Sequence, residues 1–150
     1  MTYLNFFKPC VALALFAAGS CLAQMTPVGS WHSMDDKTGE AKAEIQIVDK
    51  DGALSGRVVK SLRNDPNAKK TCDDCKDDRK GQVIIGMEII RGVKPDASDE
   101  NLWANGGKIL DPENGKEYTV KMVPLEGGKK LQVRGYIGPF YRTQTWVRVQ

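Results

Sequence analysis

Apolar and polar residues alternate along most of this chain with a period of two. In residues 43–47 and 118–122 every second side chain is apolar, which is the pattern of β-strands that bury one face. Turn-forming dipeptides separate such runs, namely Asp51-Gly52, Asn114-Gly115 and Gly127-Gly128. Because these dipeptides favour tight hairpins, neighbouring strands are predicted to be antiparallel.

About eight strands are predicted, and no segment of ten or more residues has an amphipathic helical pattern. The predicted strands are 29–34, 41–50, 53–62, 82–92, 102–110, 116–123, 130–137 and 143–149. Eight short antiparallel strands favour a closed up-and-down β-barrel, since closure removes exposed sheet edges. A β-sandwich is the alternative. The long irregular segment 63–81 is predicted to cap or flank one end of the barrel.

The N-terminal segment has the features of a secretory signal. One lysine precedes an apolar run of about ten residues, too short for a membrane-spanning helix, and small residues follow. We expect a cleaved signal peptide over residues 1–23 and a single all-β domain over 24–150, in a periplasmic or secreted protein. The alternative is a lipoprotein anchored at Cys21, which follows small residues.

Composition and charge narrow the range of functions. The chain has 150 residues, 22 basic against 19 acidic side chains and one histidine. That length fits one domain, and a net charge of +3 does not indicate a nucleic-acid partner. Without a nucleophile–base grouping, a phosphate-binding loop or a metal-ligand cluster, the sequence predicts neither an enzyme nor a bound cofactor or metal.

Several segments in order resemble the bacterial family known as domain of unknown function 2147. The resemblance runs through residues 29–31, 54–59, 72–75, 86–90, 103–118, 131–138 and 142–148. It implies a small exported bacterial protein and assigns no activity.

A broader resemblance is to the calycins, the lipocalin-like barrels. Those proteins carry Gly-x-Trp at the start of the first strand and an arginine on the last strand that packs over the tryptophan ring. Gly29, Trp31 and Arg148 match this arrangement. The resemblance implies that the first and last strands meet, with the guanidinium over the indole contributing about 0.5 to 2 kcal/mol.

Cys72 and Cys75 are the only cysteines of the expected mature chain. In an oxidising compartment we expect them to form a structural disulfide. Redox activity and metal binding are the alternatives, but the neighbouring acidic residues do not favour a reactive thiolate, and a structural zinc site would need two further ligands.

Polar and aromatic residues in the second half are the candidate binding group. Arg134 and Tyr136 share one face of a predicted strand, opposite Leu131 and Val133. Either that face points into the barrel and lines a polar pocket, or its side chains pair across strands on the exterior. The candidate binding residues are Glu88, Trp103, Arg134, Tyr136, Arg142, Gln144 and Trp146.

Export and a closed barrel predict a non-catalytic binding module. Its expected partner is a small amphipathic molecule or a component of the cell envelope. The alternative is a structural or protein-interaction role in the envelope, in which the lumen is packed and an outer face binds.

Overall fold

The computed structural model describes residues 25–149. The predicted signal peptide, residues 1–23, and the alternative lipidation site at Cys21 lie outside this range. Nine antiparallel strands form one sheet within it. Their bounds are β1 Gly29–Met34, β2 Ala41–Lys50, β3 Ala53–Ser61, β4 Glu88–Pro95, β5 Trp103–Asn105, β6 Lys108–Asp111, β7 Lys116–Leu125, β8 Lys130–Ile137 and β9 Phe140–Arg148.

The sheet closes on itself as a barrel. Neighbouring strands pair in chain order, and the short strands β5 and β6 share the position between β4 and β7. Closure comes from β1 and β9, where Trp31 lies opposite Arg148 and His32 opposite Val147. The predicted eight-stranded antiparallel barrel is thus confirmed, with one extra strand, and the sandwich alternative is wrong.

One predicted strand, 82–92, begins six residues later than expected. Strand β4 starts at Glu88, because the apolar run before it belongs to the long connection. There Val83 forms an isolated bridge with Thr71, and the Ile84 amide donates to the Lys70 carbonyl at 2.8 Å. Residues 82–85 therefore fold back on their own connection, and only Gly86 and Met87 bond to Val58 of β3 before β4 begins.

The predicted strand 102–110 is interrupted at two glycines. Gly106 has a φ of 72°, in the left-handed region that side chains with a Cβ avoid. A Cβ on Gly107 would lie 2.7 Å from the Cα of Val93, so only glycine fits against β4 there. The break produces β5 and β6 and bends the wall at this point.

The inward-facing side chains divide the barrel into two halves. In the half nearest Trp31, side chains fill the interior, and the buried members are Trp31, Ile47, Leu54, Ile90, Val93, Val120, Met122 and Leu131. This packed half is the closed end of the barrel. The connections β1–β2, β3–β4, β6–β7 and β8–β9 lie at the opposite end, where the interior is not filled.

Candidate functional site

A cavity of about 520 Å³ occupies the end of the barrel opposite Trp31. All four connections at that end, or the strand ends beside them, contribute to its lining. The long connection between β3 and β4 supplies residues on both of its arms, among them Arg63, Lys69, Val83 and Ile85. Parts of segment 63–81 line this mouth, in agreement with the prediction that the segment caps or flanks one end of the barrel.

The inner wall of the cavity is apolar. It is formed by side chains that alternate inward along the strands, and each of the main ones is nearly or fully buried. The buried apolar lining residues of this kind are Ile45, Val58, Ile89, Val133 and Trp146. Leu110 also borders the cavity, but it shares its face of β6 with Lys108, and the inward residue there is Ile109. Such a wall offers hydrophobic contact to an apolar group and no fixed charge.

Strand β9 carries a row of polar and aromatic side chains that runs from the apolar wall of the cavity to its mouth. Arg142, Gln144 and Trp146 lie two residues apart and all line the cavity, because alternate residues of a strand share a face. The Trp146 indole Nε1 donates to Gln144 Oε1 at 3.1 Å, and Gln144 Nε2 donates to Asp36 Oδ1 at 3.2 Å. Arg142 forms an ion pair with the same Asp36. The structure thus brings together three of the seven candidate binding residues.

Arg134 and Tyr136 lie on the outside of the barrel, on the face of β8 opposite Val133. Arg134 Nε donates to Thr143 Oγ1 at 2.7 Å, and its guanidinium lies 4.8 Å from the centre of the Tyr141 ring. The exterior cross-strand pairing is therefore the arrangement that the structure adopts, since the apolar face of β8 turns inward.

Glu88 and Trp103 do not line the cavity either. Glu88 accepts hydrogen bonds from the Ser55 hydroxyl and from Arg91 Nε, the latter at 3.0 Å. Burial raises the pKa of the Glu88 carboxyl, but these hydrogen bonds outweigh it and hold the pKa below its usual value. Trp103 is half-buried opposite Met122, near the closed end.

Ion pairs surround the mouth and join three connections. Arg63, on the long connection, bonds Asp35 at 2.7 Å and Glu113 at 2.5 Å, and Lys42 reaches Glu113 at 2.8 Å. Backbone hydrogen bonds from Lys37 and Thr38, then the Arg63 side chain, lower the pKa of Asp35 to about 2. Sequence reasoning missed this network because its members lie in turns, far apart in the chain.

The long connection is braced by a disulfide within it and is attached to the barrel by one buried arginine. Cys72 and Cys75 form the expected disulfide, and both are buried. Arg79, only 1% exposed, bonds Asp77 at 2.5 Å and Glu117 at 2.7 Å and donates to the Glu88 carbonyl at 3.1 Å. These contacts hold in place the segment that forms one wall of the cavity.

The closed end is secured where the first and last strands meet. Arg148 Cζ lies 4.1 Å from the centre of the Trp31 ring, and its guanidinium donates to the carbonyls of Thr26, Val28 and Gly128 at 2.5 to 2.8 Å. A Cβ on Gly29 would overlap Arg148 Nη1, so glycine makes room for the guanidinium. The contact expected from the calycin resemblance is present.

Metal-binding clusters and long apolar helices are absent from residues 25–149. No group of three or more histidine, cysteine, aspartate or glutamate side chains there is arranged to hold a metal ion. None of the helices in this range is long and apolar enough to cross a membrane.

The family model for uncharacterised proteins conserved in bacteria, DUF2147, matches residues 29–148. The chain belongs to the DUF2147 family. Among solved structures, protein HP1028 from Helicobacter pylori, described as belonging to the lipocalin family, is similar to this DUF2147 chain with a TM-score of 0.67. The similarity covers 82% of each chain at 15% sequence identity. It shows that the DUF2147 barrel has a lipocalin-like fold. No functionally curated protein matches the chain.

Proposed function

We propose that this DUF2147 protein is an exported, non-catalytic binding module whose cavity takes up the apolar part of a small amphipathic molecule or envelope component. The observation that carries the proposal is the open cavity of about 520 Å³ with an apolar wall. Ligand sites commonly occupy roughly 300 to 1,000 Å³ and combine such walls with a few polar groups.

The distribution of polar groups supports an amphipathic ligand. Buried Val133 and Trp146 leave the inner wall apolar, whereas Arg142 and Gln144 stand nearer the mouth. An apolar tail placed inward would be removed from water, which is favourable in proportion to the buried area. The polar end of the same molecule would remain at the mouth beside Gln144 and Arg142, which bond Asp36 in the structure and would exchange part of that bonding for the ligand.

The placement of ionisable groups supports binding without catalysis. His32, the one histidine, is absent from the lining and faces Glu44 at 3.8 Å on neighbouring strands. The lining carboxylate of Glu113 is paired with Arg63 and Lys42, and that of Asp111 accepts hydrogen bonds within its own turn. Glu113 thus joins connections at the mouth, and Asp111 stabilises its own turn.

Binding is tested with a lipid extract and a variant that fills the cavity. The protein is incubated with envelope lipids, separated from unbound lipid and analysed by mass spectrometry for what it retains. Val133→Trp places a large ring in the cavity and is expected to abolish retention. Val147→Trp makes the same change on the outward side of β9, where Val147 is exposed, and should retain as much as wild type. No retention by wild type above a blank would overturn the proposal.

Export is tested separately through the mass of the protein that cells accumulate. Cleavage after Ala23 leaves a chain beginning at Gln24 in the periplasmic or secreted fraction. A chain that begins at a lipidated Cys21 would support the lipoprotein alternative instead. An uncleaved chain in the cytoplasm would contradict both.

A structural or interaction role in the envelope is the second candidate function. This role implies a lumen filled by side chains. The open cavity therefore favours the binding module over the structural role. Equal retention of lipid by Val133→Trp and Val147→Trp would return support to this alternative.

A further inference from the structure

The last three strands of the barrel concentrate positive charge. Between residues 116 and 148 there are seven basic and two acidic side chains, although the whole chain has an excess of only three. The remainder of the chain therefore has more acidic than basic residues. A charge asymmetry of this kind favours approach of the basic side toward an anionic partner.

Two of these cations, Lys121 and Arg134, stand close to Lys108 on the outer face of β6, β7 and β8. Lys108 lies opposite Thr119, and Lys121 lies opposite Arg134. We call Lys108, Lys121 and Arg134 the basic wall. Within residues 25–149 none of the three has a carboxylate oxygen within 4.0 Å of its side-chain nitrogen atoms. Their charge is therefore not neutralised by an ion pair.

Neutral groups hold the basic wall in place. Lys108 Nζ donates to Thr119 Oγ1 at 2.9 Å, and Lys121 Nζ lies 5.4 Å from the centre of the Tyr136 ring. Arg134 is held by Thr143 Oγ1 and the Tyr141 ring, as described above. Because aromatic and hydroxyl groups leave the cationic charge intact, these side chains remain available to anionic groups outside the protein.

The β8–β9 hairpin, which carries Arg134 of the basic wall, ends in exposed apolar side chains. Phe140 is 74% exposed, Tyr141 63% and Ile137 47%. We call these three residues the hairpin tip. The same end of the barrel carries the cavity mouth, whose lining includes Gly135 on β8 and Arg142 on β9. Ile137 and Phe140 pair on the same hairpin face as Gly135 and Arg142, whereas Tyr141 lies on the outer face with Arg134. The tip therefore joins the outer face of the hairpin to the opening of the cavity.

From this juxtaposition we propose that the basic wall and the hairpin tip together form a docking surface for the anionic face of a lipid bilayer. Lysine and arginine side chains are attracted to anionic headgroups. Aromatic and aliphatic side chains at the tip would enter the boundary between headgroups and acyl chains. A soluble polyanion would bind the cations but would leave the exposed Phe140 and Ile137 in water. The apolar side chains of the tip therefore favour a bilayer over a soluble polyanion as the partner.

Docking in this orientation brings the cavity mouth close to the lipid surface. The inference goes beyond the binding function and does not depend on it, because the docking residues Lys121, Arg134 and Phe140 do not line the cavity. Retention of a ligand in the cavity and attachment to a bilayer can therefore fail separately.

The test measures binding to lipid vesicles. The protein is purified in the form that its cells accumulate. Vesicles of phosphatidylcholine containing phosphatidylglycerol are compared with vesicles of phosphatidylcholine alone. We expect attachment to the anionic vesicles, weakened by roughly tenfold or more without the anionic lipid and also weakened by salt. Absence of attachment to phosphatidylglycerol vesicles would overturn the proposal.

Two double variants separate the contributions of charge and apolar contact. Lys121→Gln/Arg134→Gln removes two charges of the basic wall, and Ile137→Ser/Phe140→Ser makes the hairpin tip polar. Each is expected to weaken attachment roughly tenfold. Their controls are Lys60→Gln/Lys80→Gln and Val48→Ser/Val59→Ser, which make the same kinds of change at exposed positions outside both groups. These controls should bind as wild type does.

Two further outcomes keep the proposal open to refutation. If both test variants bind vesicles as well as their controls do, the surface is not the docking site. If the tip variant keeps full attachment while polyphosphate displaces the protein from the vesicles, the partner is a polyanion and the bilayer is excluded.

Phe140→Trp is a control for loss of folding, since it changes the same residue but keeps an apolar ring at an exposed position. It should attach at least as well as wild type, and its loss of attachment would count against insertion.

Discussion

Arg148 covers the indole ring of Trp31 and at the same time binds the three main-chain carbonyls that surround it. The ring centre lies 4.1 Å from Arg148 Cζ, and the two residues face each other across the β1–β9 pairing that closes the barrel. The Trp31 Nε1 donates to the Pro27 carbonyl at 2.7 Å. A single side chain of the last strand thus connects the segment before β1, the first strand and the turn before β8.

Replacing Arg148 is expected to destabilise the barrel. Arg148→Ala removes the cation over the ring and leaves the carbonyls of Thr26, Val28 and Gly128 without their donor, at a cost of on the order of 2 to 4 kcal/mol. Arg148→Lys keeps a charge but cannot reach all three carbonyls, since an ammonium lacks the planar fork of a guanidinium. Urea unfolding should rank wild type first, Lys second and Ala last. A lysine variant as stable as wild type would show that charge alone suffices.

The strand pattern and the closure of the barrel could be read from the sequence because both depend on local rules. Period-two alternation and glycine-containing turns locate most strands. The resemblance of Gly29, Trp31 and Arg148 to the calycin arrangement indicates which two strands meet. The segment 82–87 could not be assigned in this way. Its apolar residues fit a strand equally well, and only the tertiary bridge between Thr71 and Val83 directs it elsewhere.

The candidate site was harder to predict because it depends on which face of each strand turns inward. Val133 lies opposite Gln144 and Leu131 opposite Trp146, so residues of β9 share the inward face with the apolar residues of β8. That register could have been inferred from the short hairpin between the two strands. The mouth ion pair of Arg63 with Asp35 carries no such signal, since 28 residues separate the partners.

Gly115 is expected to be intolerant of a side chain. It has a φ of 67°, and a Cβ there would lie 2.7 Å from the Cys75 amide nitrogen and overlap the Asp74 carbonyl. Gly39 offers a matched control, with a φ of 72° and no atom within 4 Å of an added Cβ. Gly39→Ala should cost only the strain of the left-handed backbone, about 1 to 2 kcal/mol.

Gly115→Ala carries the same backbone strain and additionally displaces the disulfide loop, so we expect a further loss of roughly 1 to 3 kcal/mol. Thermal unfolding of the two variants side by side measures the difference. Equal melting temperatures would mean that the disulfide loop does not press against the β6–β7 turn.

Acid should weaken the anchor of the long connection at Asp77. Hydrogen bonds from the Arg79 side chain, against a smaller opposing effect of burial, lower the pKa of Asp77 from 3.8 to about 2. A lowered folded-state pKa means that the stabilisation is present above about pH 4 and is lost as the pH falls toward 2. Asp77→Asn removes this titration.

The difference in stability between wild type and Asp77→Asn should therefore shrink between about pH 5 and pH 2. Urea midpoints measured across that range test it. Asp35 has a similarly lowered pKa but is unchanged in both proteins, so its titration cancels in the comparison. A difference that stays constant with pH would contradict the assigned role of Asp77.

The Cys72–Cys75 disulfide is expected to stabilise the cavity wall more than the barrel itself. It closes a very short loop, for which the chain-entropy model gives only about 2 kcal/mol of global stability. Its direct neighbourhood, however, is the long connection: the Cys72 amide donates to the Gln82 carbonyl at 2.9 Å, and Ile84, two residues further on, lines the cavity.

Removing the disulfide should thus accelerate local opening of the cavity wall. In Cys72→Ala/Cys75→Ala we expect the Ile84 amide, which is bonded to the Lys70 carbonyl, to exchange its hydrogen at least about tenfold faster, while amides of β8 and β9 change only with the global stability. Hydrogen exchange followed by mass spectrometry resolves the two regions. The wild-type disulfide, with both cysteines buried, should resist dithiothreitol until denaturant is added. Uniform acceleration across the whole barrel would show instead that the disulfide supports the fold as a single unit.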